Sequence, residues 1–188
     1  MTSSPLHQTP RRTDATRNRE KILAAARPAF ADAEAEISMA EISRRAGVGM
    51  ATLYRNFPGR RELLEALYAE EVDVICAAAD DAVEGRTPGA ALLVWLRELF
   101  GFFAGKRHIA AELLKHTGSD DPVFGGNRAR VIDAGRPLLA AAQQSGEIRD
   151  DLTVEQVLDL IHSVATIRGG AAHVQPLLQV TLDGLRSH

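Results

Sequence analysis

Residues 38 to 57, SMAEISRRAGVGMATLYRNF, constrain this chain more than any other stretch. They read as two short helices joined by a tight turn. Ser38 is a good N-cap, and Glu41 three residues later completes a capping-box pattern. Met39, Ile42 and Ala46 fall at i, i+3 and i+7 and give the first helix one apolar stripe. Gly47 follows at the C-cap, where a positive φ is cheap only for glycine. Val48 is an apolar plug, and Gly49 stands where the next helix is capped. That helix is about two turns, Met50 to Asn56, and Pro58 stops it. Leu53 and Phe57, four apart, face inward, which leaves Met50, Ala51, Thr52, Tyr54 and Arg55 facing outward.

A helix, a Gly-containing turn and a second helix with a polar outer face form the helix-turn-helix arrangement. Arg and Thr side chains suit base edges and phosphates, and a Tyr hydroxyl reaches a phosphate. A plain helical hairpin, with Arg44, Arg45 and Arg55 as a solvated face, fits the same spacing. Charge distribution bears on the choice. The whole chain carries a net charge of −3, which alone argues against nucleic acid. Residues 1 to 61 nevertheless hold eleven Lys/Arg against six Asp/Glu, a net of +5, and residues 62 to 188 hold eleven against nineteen, a net of −8. A basic head on an acidic body is the footprint of a DNA-reading module joined to something else.

The run from Ile42 to Leu64, ISRRAGVGMATLYRNFPGRRELL, resembles the DNA-binding signature of the TetR family of transcriptional regulators. The A-G-V run, the T-L-Y triplet, the F-P pair and the basic residue after them stand in register. The resemblance covers about the first third of the chain. Gly49 departs from it where the family usually has Ser, as do Glu34 at a helix-ending Gly and Pro28 inside the first helix. The resemblance implies that Arg60 takes the place of a phosphate-contacting lysine. The candidate DNA-binding set is then Ser38, Arg44, Arg45, Gly49, Met50, Ala51, Thr52, Tyr54, Arg55 and Arg60. It also implies a homodimer, a double-stranded DNA operator and a small-molecule effector pocket in the body.

The remaining chain reads as helices without strand alternation, so the expected class is all-α, a three-helix head followed by a helical bundle, about nine helices in all. Residues 1 to 16 are expected as a disordered arm whose Arg11 and Arg12 suit a minor groove. Residues 17 to 61 are the DNA-binding head, and residues 62 to 188 the effector-binding and dimerisation body. Helix one is expected from Arg17 to Ala33, bent at Pro28. Helix four continues to about Val83, long enough to enter both head and body. Residues 84 to 89 read as a linker before helix five, and residues 116 to 127 as a turn-rich loop before helix seven. Helix eight starts at the Thr153/Gln156 capping box, and Pro176 marks the start of helix nine.

Helix five carries the single Trp and three of the six Phe residues, which suit either an ordinary core or an apolar pocket. The pocket candidates are Trp95, Leu99, Phe102, Phe103 and, from helix eight, His162, with His108 and His116 as further polar groups. Helices eight and nine carry so little charge that both their own core and a second subunit are expected to cover them. Val157, Ile161, Val164, Leu178, Leu182 and Leu185 are the candidate interface. No histidine pair has metal-site spacing, and no cofactor is expected. The lone Cys76 excludes an intramolecular disulfide and reads as core filler. The absence of an apolar leader and of a membrane-length run points to the cytoplasm. An enzyme has no nucleophile–base pair or carboxylate cluster to work with, whereas a non-specific DNA binder would need no pocket.

Overall fold

The computed structural model describes residues 10–31, 37–116 and 122–187. Among them are nine helices: α1 (Pro10–Ala31), α2 (Met39–Ala46), α3 (Met50–Asn56), α4 (Arg60–Asp81), α5 (Pro88–Gly105), α6 (Arg107–His116), α7 (Pro122–Gln144), α8 (Val154–Thr166) and α9 (Ala171–Asp183). The all-α expectation holds. Two compact units divide at Leu67/Tyr68, within α4. The expected boundary at residue 61 falls a turn or two earlier.

In the first unit α1 packs against α2 and α3. Its core holds Ile22, Ala26 and Phe30 from α1, Ile42 and Leu53 from the helix pair, and Phe57 beyond them. The opening helix starts at Pro10 rather than Arg17, so residues 10 to 16 are helical where an arm was expected. The remainder of the expected arm, residues 1 to 9, and the side chains of Arg11 and Arg12 lie outside the described residues, as does Glu34.

In the second unit α5 is the central element, packed chiefly on α7 and α8. It is buried on several sides because it is apolar on several sides: Leu92, Trp95, Leu96, Leu99 and Phe102 are all in the core. The Trp95 indole N–H donates to the Ile75 carbonyl of α4 at 3.0 Å. On α7, Gly135 faces the same ring, and a Cβ added there would lie 2.5 Å from it.

Several helix ends differ from expectation, for two reasons. Helices α5 and α7 each begin with a proline at the first position, which needs no N–H there. Thr87 caps α5 through the Ala90 N–H at 3.4 Å and also donates to Glu147 at 2.6 Å, so the expected six-residue linker is shorter. Pro28, Pro137 and Pro176 instead lie inside helices, and α9 starts at Ala171 rather than at Pro176. A helical proline deprives the carbonyl four residues earlier of its partner. Here those residues are Ala24, Asp133 and Ala172, and all three, like the prolines, are exposed. Exposure leaves these carbonyls open to solvent in place of the missing donor. Helix α8 has the expected capping box, Thr153 and Gln156 each accepting the other's backbone N–H. The chain end runs back along the α7–α8 turn, with Arg149 N–H on Leu185 O and Ser187 N–H on Glu147 O.

Trp95 is fully buried and its ring is rigid, so it cannot yield to a new methyl group at Gly135. Gly135→Ala is expected to destabilise the protein by about 1–3 kcal/mol, read from the midpoint of denaturant unfolding at unchanged m-value.

Candidate nucleic-acid interface and effector cavity

A cap at the start of α2 and three bonds in the turn between α2 and α3 hold this segment. Ser38 Oγ accepts the Glu41 N–H at 3.2 Å. Gly47 takes φ 65° and sends its N–H back to the Arg44 carbonyl. The Ser43 hydroxyl donates to the Val48 carbonyl at 2.6 Å, and the Val48 N–H returns to the Ser43 carbonyl. Ser43 was missed in the sequence, although a small polar residue beside Ile42 on the stripe of α2 signals a buried partner. The Glu41 carboxylate is engaged by Arg44 with two bonds of 2.7 Å and by Arg45 at 2.8 Å. Hydrogen bonding from Arg44 and then Arg45 holds it down at about 2, so it is fully charged at neutral pH. Arg44 and Arg45 therefore share one counter-ion while remaining at the surface.

Helix α3 is preceded by Gly49 as its N-cap, with no side-chain bond, as expected of a glycine in that place. Leu53 is buried, while Met50, Ala51, Tyr54 and Arg55 are exposed and Thr52 is half-buried. Arg55 lies along its own helix, donating to Ala51 O and Thr52 Oγ1 at 3.1 Å each. The outward face therefore has the composition expected of it. Arg60 differs from expectation. Its guanidinium lies 4.6 Å over the Phe30 ring and also donates to the Ile37 carbonyl. Arg19 covers Phe57 in the same way at 4.5 Å. Both arginines bind the first unit together through cation–π contact, which gives Arg60 a structural task besides the phosphate contact expected of it.

The second unit holds two adjoining cavities, about 180 and 330 Å³. Both are walled by Tyr68, Phe102, Phe103, Phe124 and His162. The rings touch in sequence: Tyr68 meets Phe102 and Phe124, Phe103 meets Phe102, and His162 stands edge-on to Phe103 at 5.0 Å. Phe102, Phe103 and His162 are where the sequence placed them. Trp95 and Leu99 are not on either wall: both are fully buried, and Trp95 faces Gly135 and Ile75. The helical period carries them to the other side of α5, into solid core. Tyr68, Phe124, Asn127 and Arg128 line the space unannounced, Phe124 and Asn127 because α7 starts earlier than the expected loop allowed. His108 is exposed and lines neither cavity, and the His116 side chain lies outside the described residues.

Residues 22–67 match the family model for bacterial regulatory proteins of the tetR family. Residues 87–187 match the model for the C-terminal domain of SbtR-like transcriptional regulators. The chain belongs to the TetR family. A TetR transcriptional regulator of Streptomyces coelicolor is 32% identical, over 90% of this chain and 98% of its own, with a TM-score of 0.72. A TetR regulatory protein of Mycobacterium vanbaalenii is 34% identical, over 94% and 99%, with a TM-score of 0.73. The regulator FadR of Bacillus subtilis, solved with stearoyl-CoA, shares the fold at 21% identity and a TM-score of 0.64, over 88% of this chain and 98% of its own. No curated protein matches the chain significantly. Family and fold are thus those of DNA-binding transcriptional regulators.

The TetR-family reading of α8 and α9 needs one correction. Val157, Ile161, Val164, Leu178, Leu182 and Leu185 are all buried within the single chain. They face α5 and each other, so none is free for a second subunit. The apolar residues left outside are Leu160, Leu177 and Val180, the last 71% exposed. No helix among the described residues is long and apolar enough to cross a membrane. Cys76 is half-buried, and burial pushes its thiol up, which keeps it protonated and unreactive.

Ser43 makes a short bond inside the core of the helix-turn-helix. Ser43→Ala leaves the Val48 carbonyl short of a donor and is expected to cost about 1–2 kcal/mol, measured by thermal or denaturant unfolding. Ser43→Thr, which keeps the hydroxyl but adds a methyl group to a packed site, is expected to recover only part of it.

Proposed function

We propose that this TetR-family regulator is a repressor that binds a near-palindromic operator as a homodimer and leaves it when a small molecule occupies the cavity of the second unit. The observation that carries this reading is helix α4. It supplies Leu63, Leu64 and Leu67 to one unit, and Tyr68 and Val72 to the cavity of the other. A ligand against Tyr68 therefore acts on a helix that continues without a break to Arg60. The switch requires the ligand to prefer a body conformation in which the DNA-binding units are displaced from successive major grooves. A coupling of about 1–3 kcal/mol is ordinary for such a switch. FadR of Bacillus subtilis, which has this fold, was solved with an acyl-CoA, and that supports assigning the space to an effector.

Operator contact is assigned to the exposed face of α3, with Thr52 and Arg55 toward base edges and Tyr54 toward phosphate. Arg44 and Arg45 of α2 lie toward the flanking backbone, with Ser38 and Gly49 at the two helix starts. Tyr54→Phe is expected to weaken all sites alike, because a phosphate contact carries no base code. Arg55→Ala is expected to lose about 1–3 kcal/mol at its preferred base and relax preference there. Electrophoretic shift on a selected operator and its single-base variants checks both. Binding unchanged by either substitution would sink the docking.

The subunit contact is assigned to the outer strip of α8 and α9. Leu177→Asp with Val180→Asp is expected to give a folded monomer with unaltered helical content, since both positions are exposed in the single chain. Light scattering with circular dichroism distinguishes this from Ile161→Asp, which buries a charge in the chain's own core and unfolds it. A monomeric unaltered protein would refute the dimer.

A further inference from the structure

The second unit is strongly acidic, yet no carboxylate lines either cavity. The polar lining is neutral or cationic instead: Asn127 and Arg128 in one lobe, Lys106 and Thr166 in the other, and Tyr68 and His162 in both.

Two of these groups have hydrogen-bonding capacity left over. No described residue hydrogen-bonds the Tyr68 hydroxyl, yet it keeps accessible surface, since the structure has no buried unpartnered polar side-chain atom among the described residues, and Tyr68 lines both cavities. Burial pushes the phenol up from its usual range, so it remains a neutral O–H. The Asn127 side-chain oxygen accepts from Arg130 at 3.3 Å, which directs its amide hydrogens elsewhere, and no described residue accepts them. Arg128 is held by Asp159 at 3.0 Å, but both partners are about half exposed. Such a pair contributes little, so exchanging Asp159 for another carboxylate costs little. Lys106 is paired with Glu71 at 2.9 Å in the same manner, with more of the pair covered.

We infer that the effector is an organic anion, a carboxylate or similar acidic group on an aromatic or aliphatic body, with the anionic group met by Arg128, Asn127 and Tyr68 and the body lodged among Phe102, Phe103 and Phe124. This rests on the proposed assignment of the cavity to an effector. Cationic donors with no carboxylate beside them on the lining favour a ligand whose head group only accepts. A cationic ligand of the same shape would face Arg128 and Lys106 with no carboxylate on the lining to answer it. The aromatic walls supply contact area without regard to charge, so the body and the head group can be tested separately.

The test uses three molecules with one body: 4-phenylbutyrate, its primary amide and 4-phenylbutylamine, each titrated calorimetrically into the full-length protein at low ionic strength. The acid is expected to bind at least tenfold more tightly than the amide, and the amine least of all. Arg128→Gln is expected to abolish that difference while the amide's affinity stays as it was, and Arg128→Lys to restore part of it. Asp159→Asn removes the competing carboxylate and is expected to tighten the acid alone. A thermal melt of each variant without ligand controls for folding. If the amide or the amine binds as well as the acid, the anion assignment is wrong and the cavity reading stands. If none of the three binds at millimolar concentration, the cavity is no site for such bodies, and both fall.

Discussion

The body of this protein depends on one ring against one bare backbone. Trp95 of α5 lies on Gly135 of α7 with no room for a Cβ between them, and its N–H reaches across to the Ile75 carbonyl of α4. Val154 at the start of α8 approaches the same glycine, its methyl 3.4 Å from where a Cβ would stand. Four helices thus converge on one side chain that is both large and directional. The apolar surface of a fully buried Trp is worth several kcal/mol, but burial alone would allow α5 to slide. The hydrogen bond and the glycine fix its register.

The first unit is held differently. Its helix-turn-helix pair is short, and two of its aromatic core residues, Phe30 and Phe57, are covered by arginines. Guanidinium planes give up hydration at smaller cost than ammonium groups and stack on rings, so a small basic module can close its core with the charges it needs for DNA. That is why Arg60 is not simply a replacement for a phosphate-binding lysine. Its stem and charge are already committed to Phe30 and Ile37.

The helix-turn-helix was legible in the sequence because its signals are local: Ser38 before a stripe, Gly47 at a positive φ, Pro58 after the last turn. Apart from helix ends, the differences concern what a residue faces across the fold. Pro176 marks a helix start in the sequence, yet the carbonyl it leaves unpartnered, that of Ala172, lies on an exposed residue and α9 runs through the proline. Apolar spacing along α8 identifies Ile161 and Leu160 alike as candidates for burial. Only the packing of α5 shows that the chain covers Ile161 itself and leaves Leu160 outside. Trp95 was misplaced for the same reason, since a core aromatic and a pocket aromatic have the same composition and differ only by rotation about the helix axis. Tyr68 gave no signal beyond its place on the stripe of α4.

These points bear on one another through α4. At Ile75 the helix is pinned by Trp95 and packed without space. One to two turns earlier, at Val72 and Tyr68, it borders the cavity and carries a hydroxyl that no described residue hydrogen-bonds. A native core does not usually leave such a void and such a donor together, because each forfeits stabilisation that a slightly larger or less polar side chain would recover. Local sacrifice of this kind is characteristic of sites that must accept something else. In the proposed switch the two halves of this arrangement have different tasks. Trp95 never touches the ligand, yet it supplies the fixed point about which a ligand at Tyr68 can move the rest of α4. A well-packed fulcrum beside a poorly packed segment converts a small change in cavity occupancy into a displacement along the helix toward Arg60. A uniformly packed helix would resist that change, and a uniformly loose one would absorb it.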